Sequence, residues 1–76
     1  MKMVLNITEH KDGTFTLNHL TYGQMRAIQH ALIQNSIILS ELQMRKQAEG
    51  QDLNPVAASS LLFAVDASDQ LIDMGF

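Results

Sequence analysis

The chain contains no cysteine, no tryptophan and only one proline among its 76 residues. Disulfides and thiolate metal sites are therefore excluded as sources of stability. Domains of this size bury only about 60% of the surface that their unfolded chains expose. We therefore expect a single domain, residues 1–76, that gains stability by oligomerisation. A chain without cysteine suits a reducing compartment, so the expected location is the cytoplasm.

The sequence also lacks a long apolar segment. The most apolar run, residues 31–39, is interrupted by Gln34, Asn35 and Ser36, and it is far shorter than the roughly 20 residues that cross a bilayer. No membrane span or signal peptide is predicted. The content of 46% hydrophobic and 17% charged residues is typical of a globular domain and argues against disorder.

The residues needed for catalysis and for metal binding are largely missing. No glycine-rich phosphate loop occurs, and the serines lie on predicted helices without a nearby histidine–acid pattern. His10, His19 and His30 are scattered, with no second ligand at the i+4 position of His30, so their spacing does not indicate a zinc site. We expect neither an enzyme nor a bound cofactor or metal.

The charges are distributed unevenly along the chain. Residues 1–48 carry a net charge of +2, because all five Lys and Arg face only three acids, and residues 49–76 carry −5. Such an asymmetry can help to align two helices or two subunits, and it disfavours nucleic acid as a partner. Asp66, Asp69 and Asp73 share one side of the second predicted helix. This acidic side is either a solvated face or a contact for a basic partner protein.

The first predicted helix spans about residues 21–48. Thr21 and Gln24 have the spacing of a capping box, and Gly50 follows the cations of the last turn as a helix stop. Ile33, Ile37 and Met44 form a separate apolar stripe, spaced by four and seven residues. The main apolar face, which should form the core, consists of Met25, Ala27, Ile28, Ala31, Leu32, Ile38, Leu39 and Leu42.

Residues 1–19 are predicted to form a β-hairpin from alternating strands at residues 3–8 and 14–18. A three-residue loop ending in a left-handed Gly13 would pair Ile7 with Leu17. This register places Leu5, Ile7, Phe15 and Leu17 on one face. We expect that face to pack on the long helix, because an isolated two-stranded hairpin is marginally stable. Its open edges offer a further surface for assembly.

A second helix should follow the loop 50–54. Asn54 and Pro55 are typical of an N-cap followed by proline at the first helical position, and Gly75 ends the helix after about residue 74. Its core-facing side is predicted to consist of Ala57, Leu61, Ala64, Val65, Ser68, Leu71 and Ile72, with Val56, Phe63, Ala67 and Met74 extending the apolar arc. The resulting fold class is α+β and mostly helical: a β-hairpin followed by two antiparallel helices.

Asn35 lies within the main apolar face of the first helix. A buried amide needs hydrogen-bond partners, and in helical assemblies such a residue often sets register and subunit number. The alternative is a local bond to Ser60 or Ser68 on the second helix.

Both helices carry more apolar surface than a helix pair can cover. We therefore predict a homo-oligomer, a dimer or larger, with an interface formed by Ile33, Ile37, Met44, Phe63 and Met74. The expected function is non-enzymatic: the oligomer binds and inhibits or scaffolds another macromolecule, most simply a protein. Phage and mobile-element accessory proteins are often of this size and kind, an analogy of size alone.

The alternative hypothesis is an oligomer that binds or sequesters a small anion such as a nucleotide. The ligand would lie between subunits near Tyr22, Arg26 and His30, close to the start of the first helix. The free amides of a helix N-terminus can receive an anion.

Overall fold

A computed structural model describes residues 4–76 of the chain. It contains strand β1 (Asn6–Glu9), strand β2 (Phe15–Asn18), helix α1 (Tyr22–Ala48) and helix α2 (Pro55–Asp73). The predicted α+β, mostly helical architecture is confirmed. The part of the first predicted strand that falls on Met3 lies outside the described residues.

The β-hairpin has the predicted register. Ile7 pairs with Leu17, and Gly13 takes the left-handed conformation with φ of 86°. The His10 N–H donates to the Thr14 carbonyl at 2.8 Å, and the Gly13 N–H donates to the His10 carbonyl at 3.1 Å. These bonds close a type I turn followed by a bulge, whose twist suits the flanking strands.

Helix α1 spans Tyr22–Ala48, compared with the predicted span of about residues 21–48, and Thr21 is its N-cap. The Thr21 side chain accepts from the Gln24 N–H and the Gln24 side chain accepts from the Thr21 N–H, which completes the capping box. Gly50 has φ of 71°, and the Gln51 N–H donates to the Lys46 carbonyl at 2.8 Å. This Schellman geometry satisfies a carbonyl of the last helical turn.

Helix α2 also has a side-chain cap at its start and a glycine at its end. The Asn54 side chain accepts from the Val56 N–H, and proline occupies the first helical position. Gly75 has φ of 97°, and the Phe76 N–H donates to the Leu71 carbonyl at 2.8 Å. The capping signals of the sequence therefore set the length of both helices.

The two helices pack antiparallel along a small and partly polar core. Side-chain bonds join Tyr22 to Gly75, Gln29 to Ser68 and Asn35 to Ser60, so the residue number on one helix rises as it falls on the other. Among the described residues, Ala64 is the only fully buried apolar side chain, and the buried polar residues are Gln29 and Ser68.

The core-facing side of each helix is narrower than predicted. Ala27, Ala31 and Ile38 of the predicted α1 core are exposed, as are Val65 and Ile72 of α2. The contact follows a spacing of about 3.5 residues, typical of coiled-coil packing, which brings polar positions inward. The contact line of α1 consists mainly of Met25, Ile28, Gln29, Leu32, Asn35, Ser36, Leu39, Leu42, Gln43 and Lys46.

The prediction that the hairpin packs on α1 is wrong. Neither strand contacts either helix, and one weak bond, from Gln24 Nε2 to the Val4 carbonyl at 3.5 Å, bridges the two parts. The link between them contains only His19 and Leu20 before the cap at Thr21. His19 in this link takes a left-handed conformation with φ of 54°, and with this turn the two strands lie away from both helices.

Within residues 4–76, neither helix is long and apolar enough to cross a membrane.

Candidate functional site

The first candidate surface lies on one side of the helix pair and is called the front face here. It contains Ile33, Ile37 and Met44 of α1, which are 37%, 52% and 69% exposed. The position of a side chain around each helix can be given as its rotation about the helix axis from the residues that face the other helix. In an antiparallel pair of right-handed helices, side chains with rotations of the same sign lie on the same side of the pair. By this rule Val65 and Ile72, rotated by about +80° to +100° from the buried Ala64, complete the front face.

The second surface lies on the opposite side of the pair and is called the back face. Val56, Phe63 and Met74 are rotated by about −80° to −100° from Ala64, and the exposed Ile38 of α1 lies on their side. All four side chains are exposed. The structure therefore separates Phe63 and Met74 from Ile33, Ile37 and Met44, although the sequence pattern predicted one interface for these five residues.

The hairpin carries a third apolar surface, the hairpin face. It consists of Leu5, Ile7, Phe15 and Leu17, which are 41–64% exposed. The opposite side is polar and internally bonded: Asn18 Nδ2 donates to Thr8 Oγ1 at 2.8 Å, and His10 Nε2 lies 2.6 Å from Thr16 Oγ1. The hairpin is thus amphipathic, with its apolar side facing solvent in the single chain.

The exposed surface is large for a chain of this mass. A folded monomer of 8.5 kDa is expected to expose about 4,700 Å², whereas this chain exposes 6169 Å². The radius of gyration is 15.1 Å, compared with about 11 Å for a compact domain of 76 residues. The surplus of about 1,500 Å² per chain is comparable to one subunit's share of a permanent dimer interface.

A cavity of about 300 Å³ opens near the start of α1. Arg26 and His30, two of the three residues predicted to bind a small anion, line it together with Ala27, Gln29, Ile33 and Phe76. Tyr22, the third of these residues, does not line the cavity but packs its ring against that of Phe76, with the ring centroids 5.1 Å apart. The guanidinium of Arg26 donates to the Phe76 carbonyl at 2.8 Å, so part of its donor capacity is already used.

The helix N-terminus contributes less to this cavity than predicted. The capping box uses the Gln24 N–H, which donates to the Thr21 hydroxyl at 3.2 Å, and the Thr21 N–H, which donates to the Gln24 side chain at 2.8 Å. An anion here would therefore be bound mainly by side chains.

Gln29 is a buried polar residue that the sequence pattern did not single out. It is 3% exposed, and its Nε2 donates to the Ser68 carbonyl at 2.8 Å, but its Oε1 has no hydrogen-bond partner in the protein. An unsatisfied buried acceptor costs about 1–3 kcal/mol. A glutamine at this position was hard to recognise, because a glutamine on a helix is ordinarily solvated.

Asn35 is half-buried at the contact between the helices. Its Nδ2 donates to Ser60 Oγ at 3.4 Å, a long bond. Of the two alternatives drawn from the sequence, this is the local bond to the second helix.

The acidic side of α2 is solvated in the single chain. Asp66, Asp69 and Asp73 are all exposed, and no lysine or arginine within residues 4–76 is bonded to them.

The three histidines lie in different local environments. His10 bonds with Thr16, His30 Nε2 lies 3.0 Å from Gln34 Nε2, and His19 takes a left-handed conformation with φ of 54° at the end of the hairpin. Across residues 4–76, no three histidine or acidic side chains are grouped as metal ligands.

Asp12, in the hairpin turn, is a titratable group with an altered environment. The Thr14 hydroxyl donates to Asp12 Oδ1 at 2.6 Å and the Thr14 N–H donates to the same oxygen at 3.0 Å. These two bonds lower the pKa of Asp12 below its ordinary value of 3.8, because they favour the charged carboxylate.

Comparison with protein-family models, with curated protein sequences and with solved structures finds no match to this chain.

Proposed function

We propose that this protein is a non-enzymatic homo-oligomer, assembled through its apolar faces, that binds and inhibits or scaffolds another protein. The observation that carries the proposal is the number of large apolar side chains exposed on a chain whose total surface exceeds that of a compact monomer by about 1,500 Å². Large side chains are exposed on both sides of the helix pair and on the hairpin face. Contiguous exposed apolar patches of this kind mark interaction surfaces in soluble proteins.

The front face is proposed as the surface for self-assembly. Ile33, Ile37 and Met44 align along α1, which is 27 residues, or roughly 40 Å, long. A linear stripe of this length suits packing against another helix. Covering it in an oligomer would also supply stability that the small core around Ala64 does not.

The back face, with the acidic side of α2 beside it, is proposed as the surface for a different protein. Phe63 and Met74 offer large apolar contacts at 65% and 61% exposure, and aromatic and methionine side chains are enriched at interfaces. Asp66 and Asp73 would add a polar rim that favours a basic partner.

We propose no catalytic role, on the basis of side-chain chemistry. The hydroxyl of Ser36 donates to the Ile33 carbonyl, and the hydroxyl of Ser68 donates to the Val65 carbonyl. A catalytic serine instead needs a neighbouring base held by a third group. The proposed location is the cytoplasm, where a chain without cysteine needs no oxidative folding.

Self-assembly is tested by light scattering on the wild type and on the variant Ile37→Glu. Glutamate at this position would place an unpaired charge in the covered face, so the variant should be monomeric at concentrations where the wild type is not. Ala31→Glu is the matched control, since it adds the same charge at an exposed position of α1 away from the front face and should leave the mass unchanged. Equal masses for all three chains would contradict the proposal.

Binding of another protein is tested by affinity capture with the wild type and with Phe63→Glu. The variant should assemble like the wild type but lose the specific partner, because only the back face is altered. Asn35, between the helices, should tolerate Asn35→Ala without loss of that partner. If Phe63→Glu captures the same protein with equal affinity, the back face is not the binding surface.

The cavity favours a second candidate function, the binding of a small anion such as a nucleotide. Arg26 supplies a fixed cation and His30 a second polar group, while Ile33 and Phe76 provide apolar walls. Ligand sites commonly combine an apolar lining with a few polar groups.

This candidate is tested by thermal shift with ATP and with inorganic phosphate. A ligand at about 100 times its Kd stabilises the folded state by about 2.7 kcal/mol, so the melting temperature should rise for the wild type and not for Arg26→Gln. No rise for the wild type, or an equal rise for the variant, would reject the site.

A further inference from the structure

We propose that two copies of the chain assemble about a two-fold axis, with the hairpin face of each copy covering the end of the partner's front face around Met44. This inference rests on the proposed homo-oligomer and assigns a role to the hairpin within it. The hairpin of each chain would thus pack on the other chain and hold the two subunits together.

Among residues 4–76, no other element packs on the hairpin. Two-stranded hairpins are marginally stable in water unless a helix or further strands cover their apolar side. Here the strands are four residues each, and neither contacts α1 or α2. Nothing within residues 4–76 covers Leu5, Ile7, Phe15 and Leu17, and we assign their cover to a second chain.

The hairpin cannot reach Met44 of its own chain. It is joined to the start of α1 by His19 and Leu20, and Met44 lies roughly 33 Å further along the helix from Tyr22. A two-fold axis that crosses α1 level with Ile33 makes the two α1 helices antiparallel and sets Tyr22 of one chain beside the partner's Met44. The start of one α1, with its hairpin, then lies beside the end of the other.

The amount of surface agrees with this arrangement. In a two-fold dimer every contact occurs twice, so each chain buries one hairpin face and one front face. The surplus over a compact monomer, about 1,500 Å² per chain, also includes the back face, so it sets an upper limit of about 3,000 Å² on the dimer interface, within the range of obligate homodimers.

The charges of the two contacting regions are complementary. Glu9 pairs with Phe15 across the strands and so lies on the hairpin face next to it. Helix α1 ends in Arg45 and Lys46, immediately after Met44. Within residues 4–76 of a single chain, Glu9 and Arg45 have no ionic partner. The proposed arrangement places Glu9 beside the partner's Arg45 and Lys46, whose charges offset the negative end of the helix dipole.

The inference is tested by cross-linking, for which the absence of cysteine is an advantage. Chains carrying Leu17→Cys and chains carrying Met44→Cys are co-expressed with different tags, purified as a mixture and treated with a bismaleimide. Cross-linked dimers should form between the two kinds of chain. Neither variant alone should give such dimers, because two Leu17 positions, or two Met44 positions, lie far apart in the proposed dimer.

Each other outcome overturns the inference in a recognisable way. Dimers formed by Leu17→Cys alone would show that the hairpins pair with each other. If light scattering finds a dimer but the mixture does not cross-link, the hairpin has another role and the proposed self-assembly stands. If the wild type is a monomer, both proposals fail.

A pair of charge variants gives an independent measurement. Leu17→Glu alters the hairpin face, whereas Thr16→Glu adds the same charge to the polar side of the same strand. We expect Leu17→Glu to weaken dimerisation by at least about tenfold, equivalent to 1.4 kcal/mol, and Thr16→Glu to change it far less. Helical circular dichroism measured in parallel confirms that both variants keep the helix pair. Equal dimer affinities for the two variants would contradict the hairpin contact.

Discussion

Asp12 and Thr14 show how one residue pair fixes the hairpin turn. The hydroxyl and the N–H of Thr14 both donate to the Asp12 carboxylate, which lowers the pKa of Asp12. Because the pKa of Asp12 is lowered in the folded state, the two bonds stabilise the turn fully at pH values above the ordinary pKa of 3.8. This contribution is lost as the pH falls through the folded pKa.

We predict that Thr14→Val raises the pKa of Asp12 part of the way back to its ordinary value. The variant removes the hydroxyl, which is the largest cause of the shift, but keeps the N–H donor. Titration of the Asp12 carboxyl by NMR measures the change. Thr8→Val, which does not touch Asp12, is the control. An unchanged pKa in Thr14→Val would show that the hydroxyl does not bond the carboxylate in solution.

Gln29 is the second residue with a testable energetic role. Its Oε1 is buried without a partner, so its side chain contributes one hydrogen bond and one desolvation penalty. We predict that Gln29→Met raises the free energy of unfolding by about 1 kcal/mol, because removal of the unsatisfied acceptor outweighs loss of the bond to Ser68. Urea unfolding at a fixed protein concentration measures this change. A fall of about 2 kcal/mol or more would mean that Oε1 is satisfied, for example by an enclosed water molecule.

At the scale of the elements, the ends and the register were predictable from local signals. Thr21 with Gln24, Asn54 with Pro55, and the glycines after each helix act within one turn, so their chemistry can be read directly from the chain. The hairpin register was also predictable, because only one turn length puts Ile7 and Leu17 on the same face.

The inward face of each helix was less predictable. Apolar periodicity favoured Ile38, Val65 and Ile72 as core residues, but these three are exposed. The helices pack along a spacing of about 3.5 residues and bury Gln29 instead. A sequence with two apolar stripes per helix does not state which stripe faces the neighbouring helix and which faces another subunit.

The close packing of the helices around Ala64 leads to an element-scale prediction. Ala64 has no exposed surface, so Ala64→Leu must push the helices apart and should cost about 1–3 kcal/mol of unfolding free energy. Ser59→Leu is the matched control, because it introduces the same side chain at an exposed position of the same helix and should have little effect. Thermal unfolding followed by circular dichroism compares them. An equal effect of both variants would show that the helices do not meet at Ala64.

At the scale of the whole molecule, the position of the hairpin depends on contacts that a single sequence does not encode locally. The alternation of the strands predicts that their apolar side is covered, and α1 was the nearest candidate. The structure leaves that side open, so the cover is assigned to a second copy. The sequence pattern grouped Arg26 with His30, and these two residues line one cavity. It also grouped five apolar residues into one interface, but these residues divide between the front face and the back face.

The central claim is that a single chain exposes more apolar surface than a stable monomer does, and that a second copy of the chain covers it. Light scattering of the purified protein over a wide concentration range tests this most directly. We predict a mass of twice 8.5 kDa that persists on dilution to low micromolar concentration. A mass of 8.5 kDa at every concentration, with the side chains of Ile33, Ile37 and Met44 accessible to solvent, would contradict the claim.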